Sequence, residues 1–333
     1  MLTFISFIFV FGVIVLIHEL GHFLAARWHG VYVKEFSIGM GPRLWSHQGK
    51  ETLYSLKAFP IGGSVQMEGE QEESEAQNSF GQKKAWQRFT IIAAGPLMNF
   101  VLALILLFGV YFFQGYQTTT VAELIKDLPA ESSGIQIGDS ITAINDLPIK
   151  NWEALVEAID GSKGMPLLVE VERAGQRIEF EVPVVQDAQS ERYMVGIRPT
   201  IERSLAKAAS GAVVVTSKLS VAIIEFVPKL ISGSESMENV AGPVGLAVVI
   251  GEQASLGFIN LLHFTAFISV NLGIMNLLPF PALDGGRLVF IFYEMIFRKK
   301  ANQRFEEGLH YMGFMLLMLL MVIVFISDFS RFF

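Results

Sequence analysis

The chain alternates between long apolar segments and stretches rich enough in polar residues to contact water. Residues 2–26, 91–113, 257–280 and 309–327 are each apolar over a length that can cross a bilayer as a helix, which takes about 20 residues at about 1.5 Å per residue. The pattern therefore predicts a multi-pass α-helical membrane protein with four transmembrane helices.

Basic residues between the predicted spans indicate how the chain is oriented. The loops after the first and third spans, residues 27–90 and 281–308, are rich in lysine and arginine. Since cytoplasmic loops carry an excess of these residues, we place both loops in the cytoplasm and both chain termini outside it. The residues are Arg27, Lys34, Arg43, Lys50, Lys57, Lys83, Lys84 and Arg88 in the first loop, and Arg287, Arg298, Lys299, Lys300 and Arg304 in the second.

The first predicted span contains a polar cluster, His18-Glu19-Leu20-Gly21-His22. On a helix the i, i+4 spacing offsets His18 and His22 by only about 40° and one turn, so both imidazoles can bind one metal ion. Zinc held by two imidazoles and one further protein ligand keeps a position for water, from which Glu19 can take a proton. Chance polar residues are the alternative, but burying them in a bilayer without partners costs several kcal/mol. The cluster therefore indicates metal-assisted hydrolysis.

The third predicted span leads into Leu283-Asp284-Gly285-Gly286. Asp284 is the best candidate for the third zinc ligand, because it is acidic, lies near the membrane and precedes two glycines that allow close backbone approach. An aspartate at a helix terminus or turn is the alternative, and the histidine pair favours the ligand.

Other polar residues of the apolar segments receive structural interpretations. Asn99, in Gly95-Pro96-Leu97-Met98-Asn99 at the start of the second span, is expected to bond to a neighbouring helix, and we assign no metal ligand there. The remaining histidines lack the spacing of metal ligands and are expected at interfaces or in packing: His29, His47, His263 and His310.

A further apolar stretch, residues 205–231, is interrupted by four charged residues and by Pro228. We predict that residues 201–256 form amphipathic helices on the outer membrane surface, with their charges toward water. A crossing here would reverse the third span and place Asp284 on the opposite side of the membrane from the histidine pair. Whether residues 205–231 lie on the membrane or dip into it stays open.

The first loop contains strand patterns. Residues 31–36 and 52–59 alternate as strands do, and residues 59–67 predict a glycine-turned hairpin. One interpretation is a small surface sheet. The other is a sheet edge beside the metal that binds an unwound substrate segment by strand addition. The candidate residues of that edge are Gly62, Gly63, Ser64 and Val65.

The water-compatible part of the chain is residues 118–200. It contains a Gly138-Asp139 turn followed by an alternating strand, a short amphipathic helix at residues 151–159, and alternating strands at residues 167–172 and 177–184. This order resembles a PDZ domain, an α+β fold that we expect outside the cytoplasm. Such a domain either binds extended chain ends by adding a strand or acts as a spacer, and both roles stay open.

Composition narrows the classes of partner and of metal site. The 333 residues include 25 basic and 32 acidic ones, a net charge of −7, which gives no sign of a nucleic-acid partner. The chain has no cysteine, so disulfides contribute nothing and zinc must be held by nitrogen and oxygen ligands. Met1-Leu2-Thr3 carries no basic residue, so we expect the first segment to stay in the mature chain rather than act as a cleaved signal peptide.

These motifs, in this order, resemble the site-2 protease family of M50-type intramembrane zinc metalloproteases, and in particular its bacterial regulator-of-sigma-E type. The resemblance extends from His18-Glu19-Leu20-Gly21-His22 to residues 271–286, and so covers nearly the whole chain. It implies that His18, His22 and Asp284 bind Zn²⁺ and that Glu19 is the general base. It further implies that residues 59–67 form a membrane-re-entrant β-loop and that three residues near the end of the third span handle substrate: Asn271, Asn276 and Pro279.

The resemblance also implies a class of substrate and a location. Proteins of this family cut single-span membrane proteins after another protease has shortened the external part, and typical substrates are anti-sigma factors and signal-peptide remnants. The expected location is the bacterial cytoplasmic (inner) membrane, with the active site toward the cytoplasm. Members from enteric bacteria carry two PDZ domains, whereas this chain has room for one, which puts their external size filter in doubt here.

A function from another class is a non-proteolytic membrane adaptor, with a PDZ domain and a vestigial metal site. The intact Glu19 and the acidic third ligand candidate disfavour it, because a structural zinc site would be closed by a fourth ligand.

Overall fold

The computed structural model of the protein describes residues 1–70, 74–187, 191–234, 242–299 and 302–332. Lys300, one of the basic residues assigned above to the second loop, lies outside these ranges. The chain divides into two compact units, which we call the helical unit (Met1–Val110 and Ala209–Phe333) and the α+β domain (Tyr111–Ala208).

Long helices dominate the helical unit, and short strands dominate the α+β domain. The helices are α1 (Leu2–Trp28), α2 (Ala85–Gln114), α3 (Pro129–Ser132), α4 (Trp152–Gly161), α5 (Leu205–Ile231), α6 (Pro243–Ser255), α7 (Phe258–Leu277), α8 (Asp284–Phe297) and α9 (Gln303–Phe332), with a 3₁₀ turn at Phe80–Gln82. The strands are β1 (Val33–Gln48), β2 (Leu53–Met67), β3 (Tyr116–Leu124), β4 (Ser140–Ile144), β5 (Leu147–Pro148), β6 (Leu167–Arg173), β7 (Gln176–Val182), β8 (Val185–Gln186), β9 (Tyr193–Met194) and β10 (Ile197–Glu202).

Five of the described helices are long and apolar enough to cross a membrane: α1, α2, α5, α7 and α9. Four of them correspond to the predicted spans. The fifth, α5, covers the residues predicted to lie on the membrane surface, and it meets the same criterion of length and composition. Among the described helices, the choice between four spans and five therefore depends on α5.

The segment predicted as a cytoplasmic loop, residues 281–308, is largely helical. It contains all of α8, and α9 begins within it. Leu288 and Ile291 are buried about one helical turn apart, so α8 has an apolar face that packs against the helical unit. The basic residues had assigned this segment to one side of the membrane and had made no prediction of its secondary structure.

The two strands β1 and β2 form a sheet of their own in the helical unit. They pair antiparallel, and Phe36 of β1 has two partners, Val65 and Tyr54 of β2. The two ends of β2 therefore lie on either side of the first half of β1. Val33, Phe36, Val65 and Met67 are buried in a core cluster with residues of α1 and α2, which attaches the sheet to these helices.

The hairpin predicted at residues 59–67 is misplaced. These residues belong to β2, and the chain reverses between the strands, where Gly49 N donates to Thr52 O over 2.9 Å. Gly62 has a positive φ of 85°, and a Cβ atom on Gly63 would lie 2.8 Å from Glu19 Cγ. Glycine at these positions thus allows a bend and a close approach to α1 rather than a reversal.

The α+β domain contains a six-stranded sheet in the order β10-β3-β4-β6-β7, with β5 paired to β4. The helix predicted at residues 151–159 corresponds to α4, whose N-cap Asn151 accepts a hydrogen bond at Oδ1 from Ala154 N over 2.8 Å. Alternate residues of the strands and the apolar face of α4 build its core, which includes Val121, Ile141, Leu155, Val171 and Val182.

A buried carboxylate joins the end of α9 to the start of α6. Asp328 is only 4% exposed. It accepts hydrogen bonds from Gly242 N over 3.3 Å and from Gly245 N over 2.8 Å. These N–H groups have no partner within α6, because the first turn of a helix leaves its donors free. Asp328 therefore caps α6 from another helix, and α6 in turn packs beside α1 and α7 through Ile250.

Candidate metal centre

Three predicted ligand residues meet where α1 packs beside the start of α8. His18 and His22 lie on the buried face of α1, and each is 8% exposed. Their Nε2 atoms are 3.3 Å apart, and Asp284 Oδ2 lies 3.2 Å from His18 Nε2 and 3.5 Å from His22 Nε2. The structure thus brings the histidine pair, near the start of the chain, into contact with Asp284, near its end.

The three donor atoms fit a zinc ion. Zinc bonds of about 2.0–2.2 Å to nitrogen and oxygen in a tetrahedron put neighbouring ligand atoms about 3.3 Å apart, which matches the observed separations. Within the described ranges, this is the one group of three or more His, Cys, Asp or Glu side chains spaced to hold a metal ion. Three protein donors leave one tetrahedral position for water, as hydrolytic zinc sites require.

The His22 ring is oriented by α2. Its Nδ1 lies 2.9 Å from Ile91 O, to which it donates, so that Nε2 is the atom left for a metal. A Cβ atom on Gly95 would overlap this ring, and a Cβ atom on Gly21 would lie 2.8 Å from Met98 Cγ. Glycine on both helices therefore lets α1 and α2 approach closely enough to hold the imidazole.

The His18 ring is oriented by Asn99, which is fully buried on α2. The Asn99 side-chain amide lies 3.2 Å from His18 Nδ1, while its Oδ1 has no hydrogen-bond partner in the described part of the chain. A histidine that binds metal through Nε2 carries its proton on Nδ1, so the amide orientation with Oδ1 toward the ring satisfies both groups. Asn99 thus bonds to a neighbouring helix, as expected, and its partner on that helix is one of the predicted metal ligands, which was not expected.

The sequence does contain a signal for Asn99. Gly95 and Asn99 are four residues apart, as are His18 and His22, so each pair lies on one face of its helix. Gly95 meets one histidine and Asn99 the other. The equal spacing of the two pairs is therefore the sequence signal that α2 faces the histidines of α1 with Gly95 and Asn99.

Glu19 lies beside the ligand cluster. Its carboxylate interacts electrostatically with His22, His18 and Asp284. In the described ranges no hydrogen bond engages this carboxylate, which leaves it available to a water molecule. The backbone of β2 at Gly63 lies against its Cγ atom, so the sheet and the candidate base are neighbours.

The predicted substrate-contact residues divide into two groups. Asn271 and Asn276 on α7 are half-buried, and Pro279 in the following loop is exposed; the site geometry assigns them no contact with the ligand cluster. In β2, Gly62 and Gly63 lie at the strand next to Glu19, and Ser64 Oγ lies 2.8 Å from Ser37 Oγ. The Val65 side chain is buried in the core, so only its backbone is open to a substrate strand.

The chain around Asp284 is closely packed. A Cβ atom on Gly285 would overlap Leu278 O, and one on Gly286 would lie 2.5 Å from Phe280 O. Arg287, one turn further along α8, pairs with Glu70 in the segment after β2. The two glycines therefore allow the close approach that was expected, because without side chains the first turn of α8 can contact the backbone of the loop before it.

The chain is similar in sequence to known proteins. A model of the family described as "Peptidase family M50" matches residues 6–320. A protein of Clostridium acetobutylicum named as a zinc metalloprotease is 37% identical over 323 residues, which cover 96% of this chain and 95% of that protein. A similarly named protein of Clostridium perfringens is 36% identical over 325 residues, 96% of each chain. Among solved structures, the PDZ domain of an SdrC-like protein from Listeria innocua is 18% identical, with a TM-score of 0.24 over 26% of this chain and 99% of that one.

Proposed function

The chain belongs to peptidase family M50 and is a zinc metalloprotease of the membrane, and on that premise we propose that it is an intramembrane endopeptidase that cuts single-span membrane proteins. The observation that carries the proposal is the position of the ligand cluster. His18 and His22 lie on a helix long and apolar enough to cross a bilayer, and Asp284 completes their donor set at 3.2–3.5 Å. The peptide bond that is cut would thus lie within or near the membrane.

In the proposed site, His18, His22 and Asp284 hold the zinc ion. When bound, zinc acts as a Lewis acid that polarises the scissile carbonyl and makes water a stronger acid. Glu19 accepts a proton from that water at its carboxylate and returns it to the leaving amine nitrogen. Asn99 and the Ile91 carbonyl hold the protons on the two Nδ1 atoms, so both Nε2 atoms stay free as donors to the metal.

A substrate helix must unwind before it can react, because its carbonyl groups are engaged in internal hydrogen bonds. The backbone of Gly62, Gly63, Ser64 and Val65 can replace those bonds by strand addition next to Glu19. The amides of Asn271 and Asn276 can accept or donate further bonds, and Pro279 keeps the segment after α7 out of a regular helix. These residues form the proposed substrate-binding set.

The proposed substrates are single-span proteins whose external part another protease has shortened, of the anti-sigma factor or signal-peptide remnant type. The proposed location is the bacterial cytoplasmic membrane, with the α+β domain outside and the ligand cluster toward the cytoplasm, as the basic loops indicate.

Cleavage of a trimmed single-span protein tests the function. Purified full-length protein in detergent, with its zinc content measured, is incubated with that substrate, and mass spectrometry of the products locates the cut. We expect wild type to cut within or next to the span and Glu19→Gln to leave the substrate intact while keeping zinc. The same substrate with its external domain intact is the control for the trimming requirement. If neither protein cuts although both hold zinc, the proposed intramembrane cleavage of single-span proteins fails.

A further inference from the structure

A polar contact links α9 to the loop that precedes Asp284. Ala282, two residues before Asp284, donates its backbone N–H to His310 Nδ1 over 2.9 Å. Because Nδ1 accepts, the ring carries its proton on Nε2, which is buried and has no partner among the described residues. His310 is therefore held by the loop rather than by solvent or by a second polar group, although its spacing in the sequence gave no reason to connect it with the metal centre.

Ala282 needs this support because of its backbone conformation. Its φ is 77°, in the left-handed region that a residue with a Cβ atom rarely adopts. Such a conformation persists only where surrounding contacts hold it. The bend at Ala282 directs the chain into α8, whose first residue is Asp284, so the conformation of this one residue helps to decide where the carboxylate lies.

A second contact presses α9 against the same loop. Gly313 lies one turn after His310, and a Cβ atom placed on it would be 2.5 Å from both Cβ and O of Pro281. Of the described positions of α9, only Gly313 and Asp328 are buried. α9 is therefore attached to the Pro281–Ala282 backbone near its start and, through Asp328, to the beginning of α6 near its end.

We propose that α9 positions the third metal ligand: His310 and Gly313 hold the loop between α7 and α8 in the conformation that aims Asp284 at His18 and His22. This inference rests on the proposed function, since it takes those three residues as the zinc ligands. His310 is a positioning residue, because it acts through Ala282 and does not touch the metal.

The rate of zinc release tests the role of His310. Full-length protein loaded with zinc in detergent is mixed with excess chelator, and release is followed by the chelator's absorbance. We expect His310→Ala to release zinc roughly 10-fold faster than wild type, the lower end of the effect of losing a residue behind a metal ligand. His310→Asn should stay within about threefold of wild type, because its Oδ1 can accept from Ala282 N where Nδ1 does now. His263→Ala, at an exposed histidine of α7, is the matched control and should not change the rate.

A second pair of variants tests the contact without altering His310. Gly313→Ala places a methyl group against Pro281, whereas Gly308→Ala, on the same helix, places one in open space. We expect faster zinc release from Gly313→Ala alone, by a factor of roughly 10.

Asp284→Ala separates failure of this inference from failure of the proposed metal centre. If Asp284→Ala cannot hold zinc while His310→Ala and Gly313→Ala release it at the wild-type rate, the positioning role of α9 is wrong and the ligand assignment stands. If Asp284→Ala holds zinc as wild type does, the ligand assignment is wrong and the inference fails with it. If His310→Asn releases zinc as fast as His310→Ala, the hydrogen bond to Ala282 is not what positions the loop.

Discussion

Two carboxylates, the half-buried Asp284 in the helical unit and the buried Asp139 in the α+β domain, have opposite surroundings. Asp139 is 1% exposed and accepts hydrogen bonds from Arg173 Nε and Nη2, each over 2.7 Å, and from Gln136 N over 2.8 Å. Asp284 instead faces the Nε2 atoms of His18 and His22, which are acceptors whenever the rings bind metal.

The difference separates a structural site from a functional one. At Asp139 the negative charge meets a guanidinium, and the pairing with Arg173 holds the pKa of this carboxyl below its usual value. At Asp284 three acceptor atoms converge when both rings carry their proton on Nδ1, and a metal cation between them makes that arrangement favourable. A buried carboxylate that is paired with a cationic side chain therefore indicates a role in stabilising the fold. Acceptor atoms that converge without a donor indicate a site for a bound cation.

Removing the unmatched carboxylate should have the largest effect. Asp284→Ala takes away one of three donors, so we expect loss of bound zinc and of all detectable cleavage. Metal analysis by mass spectrometry and the single-span cleavage assay measure both. Asp139→Ala should keep its zinc. If it lost zinc to the same extent, the assignment of Asp284 to metal binding and Asp139 to stability would be wrong.

Glu19→Gln should come next. The amide cannot take a proton from water, so turnover should fall by about 10²–10⁴-fold. Zinc content should equal that of wild type, because Glu19 is not among the three converging donors. Full activity in this variant would rule out Glu19 as the base, and loss of zinc would mean that it belongs to the ligand set.

Asn99→Ala should have an intermediate effect. Loss of the group behind His18 should weaken zinc binding by about 10–100-fold without abolishing it. Competition with a chelator of known affinity measures this. The matched control is Asn260→Ala, at an exposed asparagine of α7 whose side chain donates to Leu256 O just before that helix. Equal affinities in the two variants would show that Asn99 serves helix packing alone.

Asp139→Ala should destabilise the α+β domain by about 2 kcal/mol, the loss of charge-assisted hydrogen bonds. Hydrogen exchange of peptides from residues 111–208 in the full-length protein measures this. Because the folded-state pKa of Asp139 lies below its unfolded value, its contribution is complete above the unfolded pKa of about 3.9 and is lost as pH falls through the folded value. The difference between Asp139→Asn and wild type should therefore shrink below about pH 4, and a difference independent of pH would contradict the ion-pair explanation.

The smallest effect is expected at an exposed pair. Arg198 Nη1 and Glu123 Oε2 are 3.0 Å apart, with side chains 63% and 56% exposed. Solvent screens such a pair, so Arg198→Ala should change stability by no more than about 0.5 kcal/mol. The same hydrogen-exchange measurement applies, and an effect as large as that of Asp139→Ala would mean that burial does not explain the difference between these ion pairs.

The parts of the site that local spacing determines could be predicted from the sequence. The pairing of His18 with His22 follows from helix geometry, and Asp284 could be chosen because few acidic residues lie next to an apolar segment. The only signal for Asn99 is its spacing from Gly95, and His310 has none, because both roles depend on which helices pack together. Asn99 meets a histidine 81 positions away, and His310 meets a backbone amide 28 positions away.

The fold was predictable to a similar degree. Four long apolar helices follow directly from hydrophobic length. The strand arrangement around Gly62 and Gly63 was not predictable, because glycine permits a turn, a bend or a close approach, and only the neighbouring Glu19 side chain selects among them. For α5, the charged residues favour a position on the membrane surface, whereas the length of the apolar stretch favours a helix that crosses the membrane. The sequence therefore does not decide between the two.

The cap that Asp328 provides for α6 has a consequence for shortened forms of the protein. A chain that stops ahead of this position keeps the whole ligand cluster, yet the amides of Gly242 and Gly245 lose their acceptor. Because α6 packs beside α1, which bears both histidines, we expect the loss of this cap to weaken the support of α1 as well. Anyone trimming the C-terminus for expression or crystallisation should therefore keep Asp328, and should attach purification tags beyond it.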